Sequence, residues 1–386
     1  MTGTVLTMLY ELGLTIIVAS LVSELFKKFR LPGLIGAVLV GLFLGGPGGI
    51  GVVTDLDLVN TLALLGAILI LFTTGLEFNI ESFWKDGGTA FLLTTGGVIA
   101  SLFLGYAFGT IMGFNSVESM LLGVAIAPSG TSVIAHTLTL NEKAFTKQGS
   151  TILTACVIDD VEGILLLTLA LGLSAAGTAS LLDVARIVLF STFFIIASIY
   201  IGGKVLPMII YDVSRILSDE VFFAILLGFG LILAFIASSL GLAAITGAFI
   251  MGAIIPYKKV GEKIEHRLFM MKELFSTIFF TSIGLSIDPY SIPGEGLRIL
   301  AVSLVAIFAR FLGGLGGGAA AGVRGRSLVV EALGLSVRAE MSLIIAREAF
   351  SQGVVGSAFL TIASTAVMLT IIIVLPIFTA LLKKMD

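Results

Sequence analysis

Three carboxylates stand where an apolar membrane segment is expected. The stretch "TACVIDDVEGILLLTLALGL" (154–173) carries Asp159, Asp160 and Glu162 inside an otherwise hydrophobic run. An aspartate at the centre of a membrane helix costs about 2.5–3.5 kcal/mol on insertion scales, so two adjacent ones demand partners or a task. Neighbouring residues of a helix point about 100° apart, so the two aspartates address different groups. One can face a cation pathway while the other pairs with a fixed positive charge. Arg310, deep in "LVAIFARFLGGLGGG" (304–318), is the candidate for that charge, and the glycines beside it permit close backbone approach. A structural Asp159–Arg310 ion pair is compatible with this division. Glu162 lies three residues beyond Asp159 on nearly the same face and needs its own partner. Arg338 is available, but an Arg338–Glu340 pair competes, and the sequence leaves both open.

A second polar group lies in "AIAPSGTSVIAHT" (125–137), where Pro128 and Gly130 should break a helix. Helix ends and unpaired carbonyls at such a break can hold an ion, with Thr131, Ser129 and Ser132 supplying hydroxyl oxygens. A proline kink whose Ser and Thr satisfy their own backbone is the competing reading. "GLSVRAEMSLII" (334–345) carries polar groups at a matching depth. His136 reads as a satisfied interior histidine, and Glu77 and Arg347 as solvated or snorkelling side chains near segment ends.

The elements that position these residues follow from composition and hydropathy. The chain has 386 residues, 57% hydrophobic and only 12% charged, with mean hydropathy +1.14. A soluble domain is about 25% charged, so this is a polytopic helical membrane protein. The net charge of −3 says little about partners. One cysteine, Cys156, excludes an internal disulfide framework, and with two histidines it leaves too few ligands for a His/Cys metal centre. The first apolar run carries Glu11 and lacks a basic n-region, so it reads as a span rather than a signal peptide.

Hydropathy divides the chain into about 13 segments, near 4–26, 32–45, 58–77, 88–112, 117–140, 148–176, 183–210, 218–239, 241–256, 264–287, 297–323, 327–351 and 357–382. Basic residues gather in the loops after odd-numbered segments: Lys27, Lys28, Arg30, Lys85, Lys143, Lys147, Arg215, Lys258, Lys259, Lys263, Arg324, Arg326, Lys383 and Lys384. The alternate loops hold little beyond Arg186 and Arg298. The positive-inside rule then puts the N-terminus outside and the C-terminus in the cytoplasm.

An internal repeat is visible. "IGAVLVGLFLGGP" (35–47) matches "ITGAFIMGAIIP" (245–256), with Gly36, Gly41 and Pro47 against Gly247, Gly252 and Pro256. "LFTTGLEFNI" (71–80) matches "FFTSIGLSIDP" (279–289), aligning Gly75 with Gly284. The offsets are 211 and 209 residues, seven segments apart, so the copies face opposite ways across the bilayer. Inverted repeats are a transporter signature, with the binding site between them near the midplane. The offset carries the break at 125–137 onto 334–345, so the fold expected is all-α: two inverted six-helix repeats, 1–176 and 218–386, joined by a linker helix at 183–210, with two broken helices in matching positions.

These residues carry a family resemblance over essentially the full length. "VIDDVEGIL" (157–165), "APSGTSV" (127–133), "LFTTGLEF" (71–78), "FFTSIGLSID" (279–288), "IFARFLGG" (307–314) and "VRAEMSLI" (337–344) resemble the monovalent cation:proton antiporters, specifically the prokaryotic sodium/proton exchangers with paired aspartates. The resemblance implies a homodimer in a prokaryotic inner membrane, in contact with lipid and not with nucleic acid. It implies a dimerisation part (about 1–77 and 218–287) beside a mobile core (about 88–176 and 297–382) that contains the two broken helices, crossed, and elevator-like alternating access. It makes Asp160 the carboxylate that exchanges a proton for sodium, Asp159 the partner of Arg310, and Ser129 and Thr131 neighbours of the ion. Glu162, Arg338, Glu340 and Ser132 are secondary candidates, and no cofactor is implied beyond the transported sodium, potassium or lithium and protons. Two departures stand out: Arg310 occupies a position where electrogenic relatives carry lysine, and Glu162 one that is usually apolar.

A buried carboxyl favours its neutral form and a bound cation favours the ionised one, so proton and cation exclude each other at one site. Arginine holds its charge where lysine can lose it, which leaves one cycling group and predicts one proton per sodium, against which Glu162 offers a second carboxyl. A potassium/proton exchanger or potassium efflux transporter of the same architecture is the alternative. Many potassium efflux systems add a cytosolic nucleotide-binding domain, and none is expected after Lys383 and Lys384. "GGLGGG" (313–318) lies within a span and follows no strand, so it is not a dinucleotide fingerprint. An intramembrane aspartyl protease, the remote alternative, needs its aspartates on facing helices; an ion channel is a further alternative, although paired buried charges and broken inverted helices suit a carrier better; no enzyme is expected.

Overall fold

A computed structural model of the chain describes residues 2–29, 31–45, 49–53, 56–77, 80–175, 200, 218–240, 242–255 and 262–384. Among them lie fourteen helices and no strand. They are α1 (Thr2–Lys28), α2 (Gly33–Leu44), α3 (Leu56–Glu77), α4 (Ile80–Ile111), α5 (Ser116–Ala125), α6 (Thr131–Leu140), α7 (Lys147–Ala175), α8 (Asp219–Ser239), α9 (Ala244–Ile254), α10 (Glu262–Leu285), α11 (Ser291–Ala320), α12 (Gly325–Gly334), α13 (Glu340–Ser351) and α14 (Ser357–Leu382). Seven of the described helices are long and apolar enough to cross a bilayer. The 29-residue α7 carries the three opening carboxylates at its middle.

The fifth and twelfth expected segments are each two helices, separated by 126–130 and 335–339. The expected linker at 183–210, apart from Tyr200, and the motif prolines Pro47 and Pro256 lie outside the described residues, as do Arg30, Arg186, Arg215, Lys258 and Lys259. Two starts were misplaced by the hydropathy reading. Helix α4 begins at Ile80 rather than 88, because the polar "ESFWKDGG" (81–88) lowers hydropathy without stopping the helix. Helix α11 begins at Ser291 rather than 297. Pro293 sits in its first turn, where a missing N–H has no intrahelical partner to lose.

The chain divides into two compact units, each drawing on both halves of the sequence. Met1–Asn79 and Leu171–Ser286 form the first; Ile80–Ala170 and Ile287–Asp386 form the second. In the first unit α2 packs on α1 and α10, and α3 on α9 and α10. Glycine makes these crossings possible by letting backbones meet. A Cβ at Gly41 would lie 2.8 Å from Leu285 N and 2.9 Å from Gly284 Cα, and one at Gly284 2.7 Å from Leu42 N. The other pair behaves alike: a Cβ at Gly252 would lie 2.8 Å from Leu76 N, and one at Gly75 2.9 Å from Ala253 N. The glycines aligned between the repeats therefore meet crosswise, Gly41 against Gly284 and Gly252 against the Gly75–Leu76 peptide.

In the second unit α4 and α11 form the principal pair, and α14 packs against α11 and α13. The "GGLGGG" run is the seam: a Cβ at Gly313 would meet Gly97 Cα and the Ala100 methyl, each at 2.7 Å, and one at Gly96 would lie 3.0 Å from Gly317 Cα. The run serves backbone packing rather than phosphate binding. Forcing a methyl into such a crossing costs about 1–3 kcal/mol. Gly284→Ala and Gly252→Ala should each lower the thermal unfolding midpoint of detergent-purified protein. Gly294→Ala, whose Cβ meets nothing within 4 Å, should not. Equal midpoints across all three would contradict the assigned crossings.

Candidate functional site

The site is assembled in the second unit from two broken helices and four continuous ones, α4, α7, α11 and α14. Helix α5 starts in a capping box, Asn115 accepting from Glu118 N at 2.9 Å and Glu118 accepting from Asn115 N at 3.2 Å. It stops at Ala125 because Pro128 offers no N–H and disfavours helical backbone at Ala127. The chain resumes as α6 at Thr131. The second break crosses the first, with Gly130 N donating to Val337 O at 2.8 Å. No proline interrupts 335–339; that break is held from the side by Arg338. Its guanidinium donates to Leu335 O (2.8 Å), Pro128 O (3.3 Å) and Ala306 O (3.1 Å), and its N–H to Thr370 Oγ1 (3.2 Å). Arg338 is wholly buried, and its charge lies at the C-terminal end of α12, where the helix dipole favours a cation. Ser342 also donates to Pro128 O, at 3.2 Å.

Glu340 does the converse. Its Oε1 accepts from Ser132 N at 2.6 Å, placing an anion on the first turn of α6. Neither pairing considered for Arg338 therefore forms. Arg338 binds carbonyls, not Glu162 or Glu340, because the break exposes carbonyls that nothing else in a dry interior would satisfy.

The two aspartates separate as the 100° rotation requires. Asp159 is wholly buried and its Oδ2 accepts three bonds: from Ser129 N at 2.9 Å, from the Ser129 hydroxyl and from Arg310 Nη2. Arg310 is equally buried and continues to α4, with Nη1 donating to Thr94 O at 3.0 Å and Nη2 to Thr94 Oγ1 at 2.6 Å. Gly97 makes room for that side chain; a Cβ there would lie 2.6 Å from Arg310 Cδ. Asp160, 3% exposed, turns to the start of α6, where Thr131 Oγ1 donates to its Oδ2 at 3.0 Å. Thr131 thus stands beside Asp160. Ser129, expected beside the same ion, is committed to Asp159, and Ser132 contributes its backbone N–H rather than its hydroxyl.

Glu162 finds a hydroxyl instead of a cation: Thr95 Oγ1 donates to its Oε1 at 2.5 Å. Cys156 is buried with its Sγ 3.7 Å from Ser129 Oγ. Two minor expectations fail. His136 is exposed rather than interior, one turn along α6 on its open side. Arg347 is buried rather than snorkelling, its guanidinium carbon 5.6 Å from the centre of the Phe350 ring. The Glu77 side chain lies outside the described residues.

The sequence reading missed "TTGG" (94–97). All four residues serve the site: Thr94 holds Arg310, Thr95 holds Glu162, Gly96 admits α11, and Gly97 admits the arginine stem. Four small or polar residues mid-span were the available signal. Chemically, one carboxylate is neutralised by a fixed cation, and its neighbour is held beside a hydroxyl at a helix break. Removing the arginine strands Asp159 as an uncompensated buried charge, which costs about 3–5 kcal/mol. Arg310→Gln should lower the unfolding midpoint sharply and Arg310→Lys less so; an unaltered midpoint in Arg310→Gln would show that the pair does not hold the unit together.

Comparison with known proteins gives this geometry a family. The sodium/hydrogen exchanger transmembrane family matches residues 13–384. The chain is similar to the Na(+)/H(+)-K(+) antiporter GerN of Bacillus cereus, 28% identical over 373 residues covering 95% of this chain and 94% of that protein. It is similar to a Na(+)/H(+) antiporter of Enterococcus hirae, 28% identical over 86% of this chain and 87% of that one. The K(+)/H(+) antiporter subunit KhtU of Bacillus subtilis is 24% identical over 90% of this chain and 87% of its own length. Its fold is that of the sodium proton antiporter MjNhaP1 of Methanocaldococcus jannaschii, with a TM-score of 0.74 at 17% identity over 99% of this chain and 97% of that one. This chain belongs to the sodium/hydrogen exchanger family: it is a multi-pass membrane transporter of the prokaryotic monovalent cation:proton antiporter type, and not an enzyme.

Proposed function

We propose that the chain exchanges protons for sodium at Asp160. The observation that carries this reading is the division of labour on α7: Asp159 is spent on Arg310, whereas Asp160 faces Thr131 at the start of α6. Protonation and cation binding each neutralise Asp160, and neither can occur while the other persists. A site with a bare carboxylate is expensive to carry through the membrane, so only the loaded forms cross. Opposite gradients are thereby coupled without the two ions ever meeting. Arg310 keeps its charge throughout, so Asp160 alone cycles and one proton moves per cation.

Sodium is favoured over potassium or lithium by the Na(+)/H(+) names of two relatives; GerN and KhtU, whose names include potassium, keep a potassium/proton exchanger as the alternative. The partition into two units supports an elevator in which the second unit, with the site, moves against a first unit that dimerises. A duplication with inverted topology is supported by the crosswise glycines and by the two breaks, which differ by the same 209 residues (126 to 335, 130 to 339). The basic loops support an external N-terminus and a cytoplasmic C-terminus in a prokaryotic cell membrane.

Reconstituted in proteoliposomes, the protein should alkalinise the lumen when sodium is added outside, as protons leave in exchange for entering sodium, and Asp160→Asn should abolish that flux. Retained flux in Asp160→Asn would refute the assignment. With one proton per cation, an imposed membrane potential should leave the initial rate unchanged; a rate that follows the potential would refute the stoichiometry.

A further inference from the structure

Glu162 is the one carboxylate of the α7 cluster that the exchange at Asp160 does not use. It lies at mid-span beside the neutralised pair, and its surroundings are those of an acid rather than of an ion. Oε1 has one partner, the hydroxyl of Thr95 on α4, at 2.5 Å. Oε2 is buried and makes no hydrogen bond. Among the described residues no lysine, arginine or histidine forms a salt bridge with it. The two wholly buried guanidiniums are engaged elsewhere: Arg310 with Asp159 and Thr94, Arg338 with three backbone carbonyls. A half-buried carboxylate whose free oxygen is shut off from solvent, without a cation and with a single neutral donor, is an unfavourable group for a membrane interior. A neutral carboxyl in the same place is not, because a hydroxyl serves it as donor or acceptor.

We propose that Glu162 is a second proton-binding site of the carrier, whose proton stays in place through the transport cycle and lets the acid tie α7 to α4 through Thr95. The tie bears on exchange through its neighbours. Thr94, the residue before Thr95, is what Arg310 grips with both terminal nitrogens, and Arg310 in turn fixes Asp159, the residue before Asp160. Glu162 and Thr95 therefore hold the register between the helix that carries the exchanging carboxylate and the helix that carries its fixed counter-charge. Glu162 acts here as a positioning residue, and its proton is not counted among those transported. The charged groups set around it are Asp159 on its own helix and Arg310 from α11, and these two are paired with each other.

The transport arm of the test rests on the Asp160 reading; the spectroscopic arm does not. Replacing Glu162 with leucine removes the tie while suiting an apolar span, and the loss of one buried hydrogen bond should slow sodium-driven proton flux by about tenfold. Glu162→Gln keeps a neutral group that bonds Thr95 in either direction, so it should restore flux to within about twofold of wild type. The infrared absorption spectrum of detergent-purified protein should contain the carbonyl band of a protonated carboxylic acid that is absent from Glu162→Gln and the same with and without sodium. Glu162→Gln as slow as Glu162→Leu would overturn the proposal, as would an acid band that vanishes when sodium is added, which would make Glu162 an exchanging site. The infrared arm decides the matter even where Glu162→Leu does not fold. If Asp160→Asn retains flux the central reading fails, whatever the Glu162 variants do.

Discussion

A buried carboxylate keeps its charge in a membrane only where a cation is built in beside it, and the Asp159–Arg310 pair meets that condition with elements from four parts of the chain. Asp159 comes from α7, Arg310 from α11, Thr94 from α4, and Ser129 from the break between α5 and α6. Each group has its bonding partner among the other three, so none is placed independently. Gly97 shows how far the packing is adapted to this pair, since even one methyl there would lie 2.6 Å from the arginine stem. Such a pair adds little to stability relative to an apolar replacement. Its effect is to fix which of the two adjacent aspartates is spent on a permanent cation.

The same economy governs the two breaks. Interrupting a helix inside a dry interior exposes carbonyls at one end and N–H groups at the other, and each must be satisfied from within the protein. Arg338 serves the carbonyls and Glu340 serves the amide of Ser132. Both charges look free in the sequence and both are consumed by backbone. Asp160 stands at the same break with the Thr131 hydroxyl donating to it, and that placement is the basis for the exchange proposed there.

Much of this could be read from residues alone, for identifiable reasons. The helices are announced by hydropathy, the first break by Pro128 and Gly130, and the Asp159–Arg310 pair by the scarcity of buried cations in so apolar a chain. The second break has no proline, and only the repeat offset pointed to it. Side-chain partners were less accessible. Arg338 was weighed against carboxylates because charge pairing is the first rule applied to sequence, whereas its partners are carbonyls that exist only once the chain is broken and crossed. Ser129 and Thr131 are two residues apart, yet the turn between them sends one to Asp159 and the other to Asp160. Thr94 and Thr95 went unnoticed because a threonine in a membrane helix ordinarily bonds its own backbone, as Thr73 does with Leu69 O at 2.8 Å. Hydropathy misplaced helix starts where a polar first turn lies outside the apolar core, as in α4 and α11.

The central claim is that proton and cation compete for one carboxyl. Sodium binding to detergent-purified protein, followed by calorimetry across pH, tests it most directly. Competition at Asp160 predicts that below the pH at which the free site loses its proton, the apparent Kd for sodium rises about tenfold for each unit by which pH falls, since one proton must leave for each cation bound. The dependence should vanish above that pH. A sodium affinity that is constant across the acid range would contradict the account.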